Sequence, residues 1–234
     1  MNLEAIRKRY RESGYCVIEE AVSSEELAAL RGVADTLLEE KPTDGGQGLH
    51  NIGRGEDRRF LRHRHPDFPE LAGFIFSEKM RDITSTAVGP TPHLFNEQFV
   101  VKGSKTGASF AWHQDGAYVG FEHKPYVTVW IALDDVSEEN GCVSILPRNL
   151  DEDDALVPHE WDDTGKEFVG YAGEDAGEPV TGPAGTIAIF SSTTLHRSGA
   201  NTTDHRRRAY ICQFTAEPLI DPATNEPKRF AKPL

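Results

Sequence analysis

Residues 126–147, YVTVWIALDDVSEENGCVSILP, decide the fold class of this chain. Two short runs rich in β-branched and aromatic residues flank an acidic stretch that ends in Asn140-Gly141. Such runs, separated by turn residues, are typical of β-strands. Four similar runs lie on either side: LFNEQFVVKG (94–103), ASFAWHQD (108–115), GTIAIFSS (185–192) and RAYICQFT (208–215). Six short strands predict a mainly β fold, either a sandwich or a barrel.

The first 90 residues carry helical patterns instead. Apolar residues recur at helical spacing over 3–10, and again over 69–88 as a single helical run. A short strand is expected at 15–19. Ser23 and Glu26 form a capping box ahead of another apolar stripe, which predicts a second helix there.

Two segments interrupt these patterns. Residues 42–67 combine scattered glycines with a cluster of arginines and predict a long loop or lid. Residues 148–184 are acidic and poor in apolar residues, and they lack the spacing of a calcium loop. We expect this second segment to be a surface excursion between strands.

The composition argues against several function classes. The chain has 25 Lys and Arg against 38 Asp and Glu in 234 residues, a formal net charge of −13, which argues against nucleic-acid binding. No stretch approaches the ~20 apolar residues of a membrane-spanning helix, and the N-terminus lacks the apolar part of a secretory signal. We therefore expect a cytoplasmic protein with no membrane role. Three scattered cysteines predict buried, reduced thiols: Cys16, Cys142 and Cys212.

A histidine and an aspartate in one predicted strand suggest a metal site. His113 and Asp115 are two residues apart, so on a strand both side chains would point to the same side. His196 closely follows an apolar strand and is the natural third ligand. Two imidazoles and one carboxylate form the face that leaves coordination positions open on a non-haem Fe(II) ion.

A second His-x-Asp pair, His65 and Asp67, is not expected to bind metal. Pro66 lies between them, and proline cannot occupy a central strand because it has no N–H group. Asp67 precedes a helical run and is expected to cap that helix.

Four stretches also make the chain resemble a known family: NEQFVVKG (96–103), WHQDGAYVG (112–120), TVWIALDDVSEENGCVSILP (128–147) and LHRSGANTTDHRRRAY (195–210). In order, and over roughly residues 10–215, they resemble the phytanoyl-CoA dioxygenase family of Fe(II)/2-oxoglutarate-dependent oxygenases. The resemblance implies a double-stranded β-helix (a jelly roll, or cupin-like barrel) with flanking helices. We predict one domain over 1–234, with helices within 1–90 packed on a jelly-roll core at 92–216. One departure is Arg148-Asn149 after Pro147, where many relatives have Gly-Ser-His.

The resemblance also implies roles for individual residues. His113, Asp115 and His196 match the iron ligands, with 2-oxoglutarate as cosubstrate and O₂ as oxidant. Arg207, eleven residues after His196, matches the arginine that pairs with the C5 carboxylate of 2-oxoglutarate. Four more residues match positions around this cosubstrate: Ser198, Lys102, Gln98 and Trp130. The residues themselves leave two alternatives open, because Lys102 could be a solvated strand end and Trp130 an ordinary packing residue.

The implied reaction is hydroxylation of an unactivated C–H bond of a small, possibly anionic, molecule, with release of succinate and CO₂. Two other classes stay open on the same barrel. One is a metal-dependent hydrolase or isomerase, and the other is a non-catalytic binding module. Neither the substrate nor the oligomeric state is indicated by the sequence.

The basic segment 50–65 bears on the substrate. It holds only Glu56 and Asp57 against a cluster of basic residues: Arg54, Arg58, Arg59, Arg62, Arg64, His50, His63 and His65. One interpretation is a solvated loop or an intersubunit patch. The other is a glycine-hinged lid that closes over the barrel mouth, where Arg58 and Arg62 attract an anionic substrate. An aromatic wall would then lie opposite, formed by Tyr118, Phe121 and Tyr126.

Overall fold

The structure is a computed structural model that describes residues 1–40, 49–50, 58–105 and 107–234, with only the backbone given at 49–50. Its helices are α1 (Leu3–Ser13), α2 (Ser24–Glu39), α3 (Pro69–Ile75) and α4 (Glu78–Val88). Its strands are β1 (Tyr15–Ile18), β2 (Leu49–His50), β3 (Arg58–Arg62), β4 (His93–Lys102), β5 (Phe110–His113), β6 (Val127–Ala132), β7 (Val143–Ile145), β8 (Glu160–Asp162), β9 (Glu167–Val169), β10 (Glu178–Pro179), β11 (Ile187–Ser191), β12 (His196–Ser198), β13 (Arg207–Thr215), β14 (Ile220–Asp221), β15 (Glu226–Pro227) and β16 (Lys232–Pro233).

The helix boundaries follow from local capping. Helix α1 ends where Gly14 adopts a left-handed φ of 76°. The predicted capping box begins α2, with Ser23 accepting from Glu26 and the Glu26 side chain accepting from Ser23. The single helical run predicted over 69–88 is in fact two helices, because Ser77 caps a new helix by accepting from the Met80 amide.

Two antiparallel sheets form the mainly β double-stranded β-helix that the sequence predicts. Within the described part of the chain, the larger sheet has the order β1-β11-β6-β13-β4-β3-β2, and β16 also pairs with β4. The smaller sheet has the order β10-β7-β12-β5. The six strands predicted from short apolar runs correspond to β4, β5, β6, β7, β11 and β13.

The larger sheet is buried on both faces. Alternate residues of β13, among them Tyr210 and Cys212, pack against the helices. The intervening Ala209 and Ile211 face the smaller sheet instead. The site described below lies on this second face, inside the barrel.

The arginine-rich segment is not a loop throughout, which corrects the expectation for 42–67. Arg58–Arg62 form strand β3, which pairs antiparallel with β4 so that Arg58 lies opposite Lys102. Arg54 and the glycines at 45, 46, 48, 53 and 55 lie outside the described residues.

Segments outside 92–216, the range predicted for the jelly-roll core, also add strands to the larger sheet. Strand β1 joins the larger sheet beside β11, and β16 adds the C-terminal residues to the same sheet beside β4. None of the described helices is long and apolar enough to cross a membrane. All three cysteines are buried free thiols.

The second His-x-Asp pair lies away from the triad. His65 is buried, and its backbone and ring nitrogens contact the Glu97 carboxylate at 2.9 and 3.4 Å. Asp67 does not cap α3, which begins at Pro69 and has Phe68 as its N-cap residue, without a side-chain hydrogen bond. It accepts instead from Arg64 at 3.1 Å, because a nearby guanidinium is available to it.

Candidate metal centre

Three side chains converge between the two sheets. His113 ends β5 and His196 begins β12, and the two residues are direct partners in the antiparallel register. One Asp115 carboxylate oxygen lies 3.7 Å from His113 Nε2 and 3.6 Å from His196 Nε2. Asp115 is not on the strand, as the spacing predicted, but begins a 3₁₀ turn over Asp115–Tyr118. The turn brings its carboxylate to the side on which both imidazoles lie.

Backbone carbonyls orient both imidazoles. The Nδ1 atom of His113 lies 2.8 Å from the carbonyl oxygen of Ala111, and that of His196 lies 3.1 Å from the carbonyl oxygen of Thr194. A carbonyl only accepts, so each Nδ1 carries a proton, and each Nε2 is the ring nitrogen that faces Asp115. Burial, with the nearby His196, lowers the pKa of His113 to about 4, so this ring is neutral at pH 7 and able to bind a metal.

The Asp115 carboxylate is held by its other oxygen. Oδ2 accepts from Thr128 Oγ1 at 2.6 Å and from Gln213 Nε2 at 3.0 Å. Gln213 is fixed in turn by Asn96, whose amide donates to its side-chain oxygen at 2.9 Å. Oδ1 therefore remains directed at the two imidazoles, as in metal sites whose ligands are oriented by a surrounding hydrogen-bond network.

The donor set suits iron. One ligand atom from each of His113, Asp115 and His196 lies within 4.8 Å of the others, which is close enough for all three to share one metal ion. Two imidazoles and one carboxylate can occupy one face of an octahedral ion and leave the opposite positions open. The residues present thus fit a non-haem Fe(II) ion that still has room for a chelating cosubstrate and O₂.

Gln114, between two of the triad residues, fixes the turn to the protein behind it. Its side chain is fully buried and donates to the carbonyl oxygens of Thr193 and Ala155. Its own amide oxygen accepts from the Val157 backbone at 2.7 Å. The acidic insert is therefore attached directly behind the metal ligands.

A buried arginine lies at one end of the site. Arg207 is 2 % exposed, and its Nη2 donates to the carbonyl of Gly141 at 2.8 Å. Its Nε and Nη1 are buried without a hydrogen-bond partner in the described structure. Leaving such donors unpaired is unfavourable, so the geometry calls for an acceptor here.

Lys102 lies beside Arg207, its partner in the β4–β13 register. It is fully buried, so it is not the solvated strand end considered from the sequence, and its Nζ donates to the carbonyl of Gly199. Burial, then the charges of Arg207 and Arg58, lowers the pKa of Lys102 from 10.5 to about 6.

The Asn140-Gly141 turn allows the backbone to pass very close to Gly199, beside Arg207 and Lys102. Gly141 has a φ of 78°, and a Cβ built on it would lie 2.3 Å from the carbonyl oxygen of Gly199. Only glycine combines this backbone angle with so close an approach. The turn therefore supplies one carbonyl to Arg207 and borders another that holds Lys102.

A cavity of about 550 Å³ opens beside the triad. It is lined by most of the other residues singled out in the sequence: Arg58, Arg62, Gln98, Tyr118, Tyr126, Trp130, Ser198 and Arg207. Phe121 is not among the described lining residues and packs behind the cavity wall, against Phe95, Val119 and Tyr126. Lys102 lies just beneath the cavity surface.

The model of the phytanoyl-CoA dioxygenase (PhyH) family matches residues 10–209 of the chain. The chain belongs to the phytanoyl-CoA dioxygenase family. The resemblance seen in the sequence is thus confirmed, and the protein is an Fe(II)- and 2-oxoglutarate-dependent oxygenase.

Curated relatives agree with this assignment, and solved structures share the fold. The dioxygenase is 28% identical over 229 residues to a probable alpha-ketoglutarate-dependent hypophosphite dioxygenase of Stutzerimonas stutzeri, covering 90% of this chain and 77% of that one. It is 33% identical over 146 residues to a 2-aminoethylphosphonate dioxygenase of the uncultured bacterium HF130_AEPn_1, covering 62% of this chain and only 53% of that relative. A crystal structure of the epimerase SnoN with Fe3+, alpha ketoglutarate and nogalamycin RO has the same fold, with a TM-score of 0.75 at 21% identity over 99% of this chain and 95% of that one.

In this dioxygenase Arg58 is not on a lid. It is 2 % exposed and extends from β3 into the acidic insert. There it donates to the carbonyls of Ser109 and Gly165 at 2.9 and 3.0 Å and lies 3.5 Å from the Glu167 carboxylate. Its two terminal nitrogens are bound by these partners, while Nε is buried without a hydrogen-bond partner in the described structure, so Arg58 anchors the insert at the cavity edge.

The acidic insert is more than a surface excursion, which corrects the sequence interpretation. Its hairpin β8–β9 borders the cavity of the dioxygenase, with Trp161 and Glu167 on the lining. The Tyr118 hydroxyl accepts from the Phe168 amide at 3.0 Å and so ties the hairpin to the turn that follows Asp115. The three aromatic residues of this otherwise acidic segment, Trp161, Phe168 and Tyr171, are the signal that could have revealed this.

Several cavity residues were not predicted from the sequence, and Arg229 is the most distant of them along the chain. Arg229 comes from the C-terminal segment beyond β15 and lines the cavity. That segment contacts the barrel through the Phe230 amide, which donates to the carbonyl of Phe95 at 3.2 Å. No periodicity or motif in the last twenty residues marks Arg229 in advance.

Proposed function

We propose that the protein hydroxylates an unactivated C–H bond of a small anionic molecule, using Fe(II), 2-oxoglutarate and O₂ and releasing succinate and CO₂. The observation that carries this proposal is the pairing of a two-histidine, one-carboxylate centre with a buried, half-unpaired arginine in the same cavity. The balance is R–H + O₂ + 2-oxoglutarate → R–OH + succinate + CO₂. One oxygen atom enters the substrate and the other enters succinate.

His113, Asp115 and His196 would hold the iron, which supplies O₂ activation and oxidation of the C–H bond. The protein's own work is to orient these ligands. Both imidazoles are held by backbone carbonyls, and Thr128 and Gln213 hold the carboxylate. These hydrogen bonds orient the face that would carry the metal.

Arg207 would bind the C5 carboxylate of 2-oxoglutarate. Its Nε and Nη1 are buried donors without a protein partner in the described structure, and they can give a carboxylate charge-assisted hydrogen bonds. Ser198, also on the cavity wall, can donate its hydroxyl to the same group. Trp130 lines the cavity 5.7 Å from the Arg207 guanidinium and would shield this end from water.

The same arrangement distinguishes the oxygenase from the rivals left open by the sequence. A metal-dependent hydrolase or isomerase could use the triad but has no need of the unpaired donors of Arg207. A binding module without catalysis has no need of coordination positions left open on the metal. The cavity's several arginines and the phosphorus oxyacids named for two relatives support an anionic substrate.

The test is succinate formation across a panel of small phosphonates and carboxylates, with Fe(II), 2-oxoglutarate and O₂. We expect at least one compound to stimulate succinate formation and to gain one oxygen atom by mass spectrometry. His196→Ala should abolish turnover, whereas His205→Ala, an exposed histidine, should retain it. Turnover retained by His196→Ala would exclude the assigned centre.

Anaerobic addition of Fe(II) and 2-oxoglutarate gives an independent reading. Chelation of iron by a 2-oxo acid should give a weak visible absorption band in the wild type. That band should be absent from His196→Ala. A wild-type protein that stays colourless and inactive would favour the non-catalytic module.

A further inference from the structure

A second pair of cationic side chains lines the cavity, away from Arg207. Arg62 belongs to β3 and Arg229 to the C-terminal segment. In the β3–β4 register Arg62 lies opposite Gln98, four residues along β4 from Lys102. At about 3.3 Å per residue the two levels are about 13 Å apart. The cavity thus has two cationic ends, one at Arg207 and one at Arg62 with Arg229.

Neither guanidinium group of this second pair forms an ion pair with a carboxylate among the described residues, although the charge of Asp115 acts on Arg229 at longer range. Arg62 donates through Nε to the Gln98 side-chain oxygen at 2.9 Å, which leaves its two terminal nitrogens available. Arg229 lies over the Phe95 ring, 5.3 Å from its centre. By contrast, Arg64 and Arg208 each contact two carboxylates on the protein surface.

This arrangement is unfavourable in the empty protein. Both arginines are half-buried, and burial together with the charge of Arg229 lowers the pKa of Arg62 to about 10. Both groups still carry a full charge at pH 7, so they repel each other in a partly desolvated place. A chain with 38 acidic residues could have placed a carboxylate between them. An anionic ligand would remove the repulsion.

We propose that Arg62 and Arg229 form the binding site for the head group of the substrate, a dianionic oxyanion such as a phosphonate. This inference rests on the proposed function and names the substrate class for that site. Two guanidinium groups match two negative charges and offer several N–H donors to three oxygens. Gln98 acts as a positioning residue, because it fixes Arg62 by accepting from Nε.

The remaining cavity wall fits a short apolar tail. Phe95 and Tyr126 lie with ring centres 5.3 Å apart on the lining, next to the Asp115 end of the triad. A head group held at Arg62 and Arg229 therefore extends its tail along these rings toward the metal ligands. The cosubstrate end at Arg207 stays free for 2-oxoglutarate. The two anions, 2-oxoglutarate and the substrate head group, therefore bind at different ends of one cavity.

The test uses propylphosphonate as the probe and isothermal titration calorimetry as the readout. Protein loaded with Fe(II) and saturating 2-oxoglutarate is titrated without oxygen. Arg62→Gln and Arg229→Gln should each lower the affinity for propylphosphonate about tenfold or more. Arg206→Gln is the matched control, because it removes the same charge from an exposed position and should change affinity less than twofold. Gln98→Leu should give an intermediate loss, since it leaves both arginines in place.

Two comparison ligands identify the head group. Butyrate has one negative charge and should bind at least tenfold more weakly than propylphosphonate, and neutral butyramide should not bind. Equal binding of butyrate and propylphosphonate would overturn the dianion assignment. Wild-type affinity in both arginine variants, or no heat with wild type at about 10 mM probe, would overturn the site. The anaerobic 2-oxoglutarate band is read in the same samples, so failure of the proposed function would show separately as its absence.

Discussion

Replacing Lys102 by Met should stabilise the cofactor-free protein, although it removes a residue of the cosubstrate end. Lys102 is fully buried between two arginines, and its pKa is lowered from 10.5 to about 6, first by burial and then by those charges. At pH 7.5 the native lysine is therefore mostly neutral, whereas the unfolded chain carries it as a cation. Methionine has a similar length and no charge, so it does not have to lose a proton when the protein folds.

The size of the effect follows from proton linkage. Between pH 6 and 10.5 the unfolded state binds one more proton than the native state, so the stability of the wild type rises with pH across this window. For each pH unit below 10.5 the free energy of unfolding of the wild type falls by about 1.4 kcal/mol, which amounts to about 4 kcal/mol at pH 7.5. Loss of the hydrogen bond to Gly199 costs the variant about 1 kcal/mol. The net gain is about 3 kcal/mol, which raises Tm by roughly 6–12 °C.

Urea and thermal unfolding at pH 6.5, 7.5 and 9.0 measure this directly. The advantage of Lys102→Met should shrink as the pH rises, to about 1 kcal/mol at pH 9. Lys105→Met is the control, because that lysine is exposed and pairs only with exposed Asp204. Its stability should stay within about 0.5 kcal/mol of wild type. A Lys102→Met protein that is less stable than wild type, or whose difference does not change with pH, would refute the reasoning.

Three further variants test the site. Arg207→Ala should lower the affinity for 2-oxoglutarate by about 100-fold or more in the anaerobic titration, because it removes one member of a buried charge pair. Arg206→Ala, at an exposed position, should change this affinity little, and equal losses in the two variants would disprove the assignment. Gln213→Leu should lower Fe(II) affinity about tenfold or more, measured by metal titration, because Asp115 loses an orienting donor; unchanged affinity would contradict that role. Arg58→Met should speed tryptic cleavage after Lys166, because it releases the β8–β9 hairpin; an unchanged cleavage rate would mean that the hairpin is held by other contacts.

The features that the sequence predicted correctly are those set by local spacing. Four of the six central strands, β4, β6, β11 and β13, show as short apolar runs because both faces of the larger sheet are buried. His113 and Asp115 are close in the chain, so their convergence needed only one turn of backbone. His196 could be added because it directly follows one of these strands.

The features that were missed depend on partners distant in the chain. Within RRFLR, Arg58 is expected to be solvent-exposed. It is buried instead, because the carbonyls of Ser109 and Gly165 accept hydrogen bonds from its guanidinium group. Nothing near Arg58 in the sequence announces these acceptors. The same holds for Arg229, which enters the cavity only because the C-terminal segment packs against the barrel and β16 pairs with β4.

Strand register explains how one cluster of basic residues serves two purposes. Arg58 and Arg62 are four apart, so on strand β3 they share a face but lie about 13 Å from each other. The first lies beside Lys102 and anchors the insert near the Arg207 end, while the second faces Gln98 and the Arg229 end. A mobile lid would have averaged these charges over the barrel mouth. A strand instead fixes each of them at one level of the cavity, and so a protein with a net charge of −13 keeps two separate cationic ends around one metal centre.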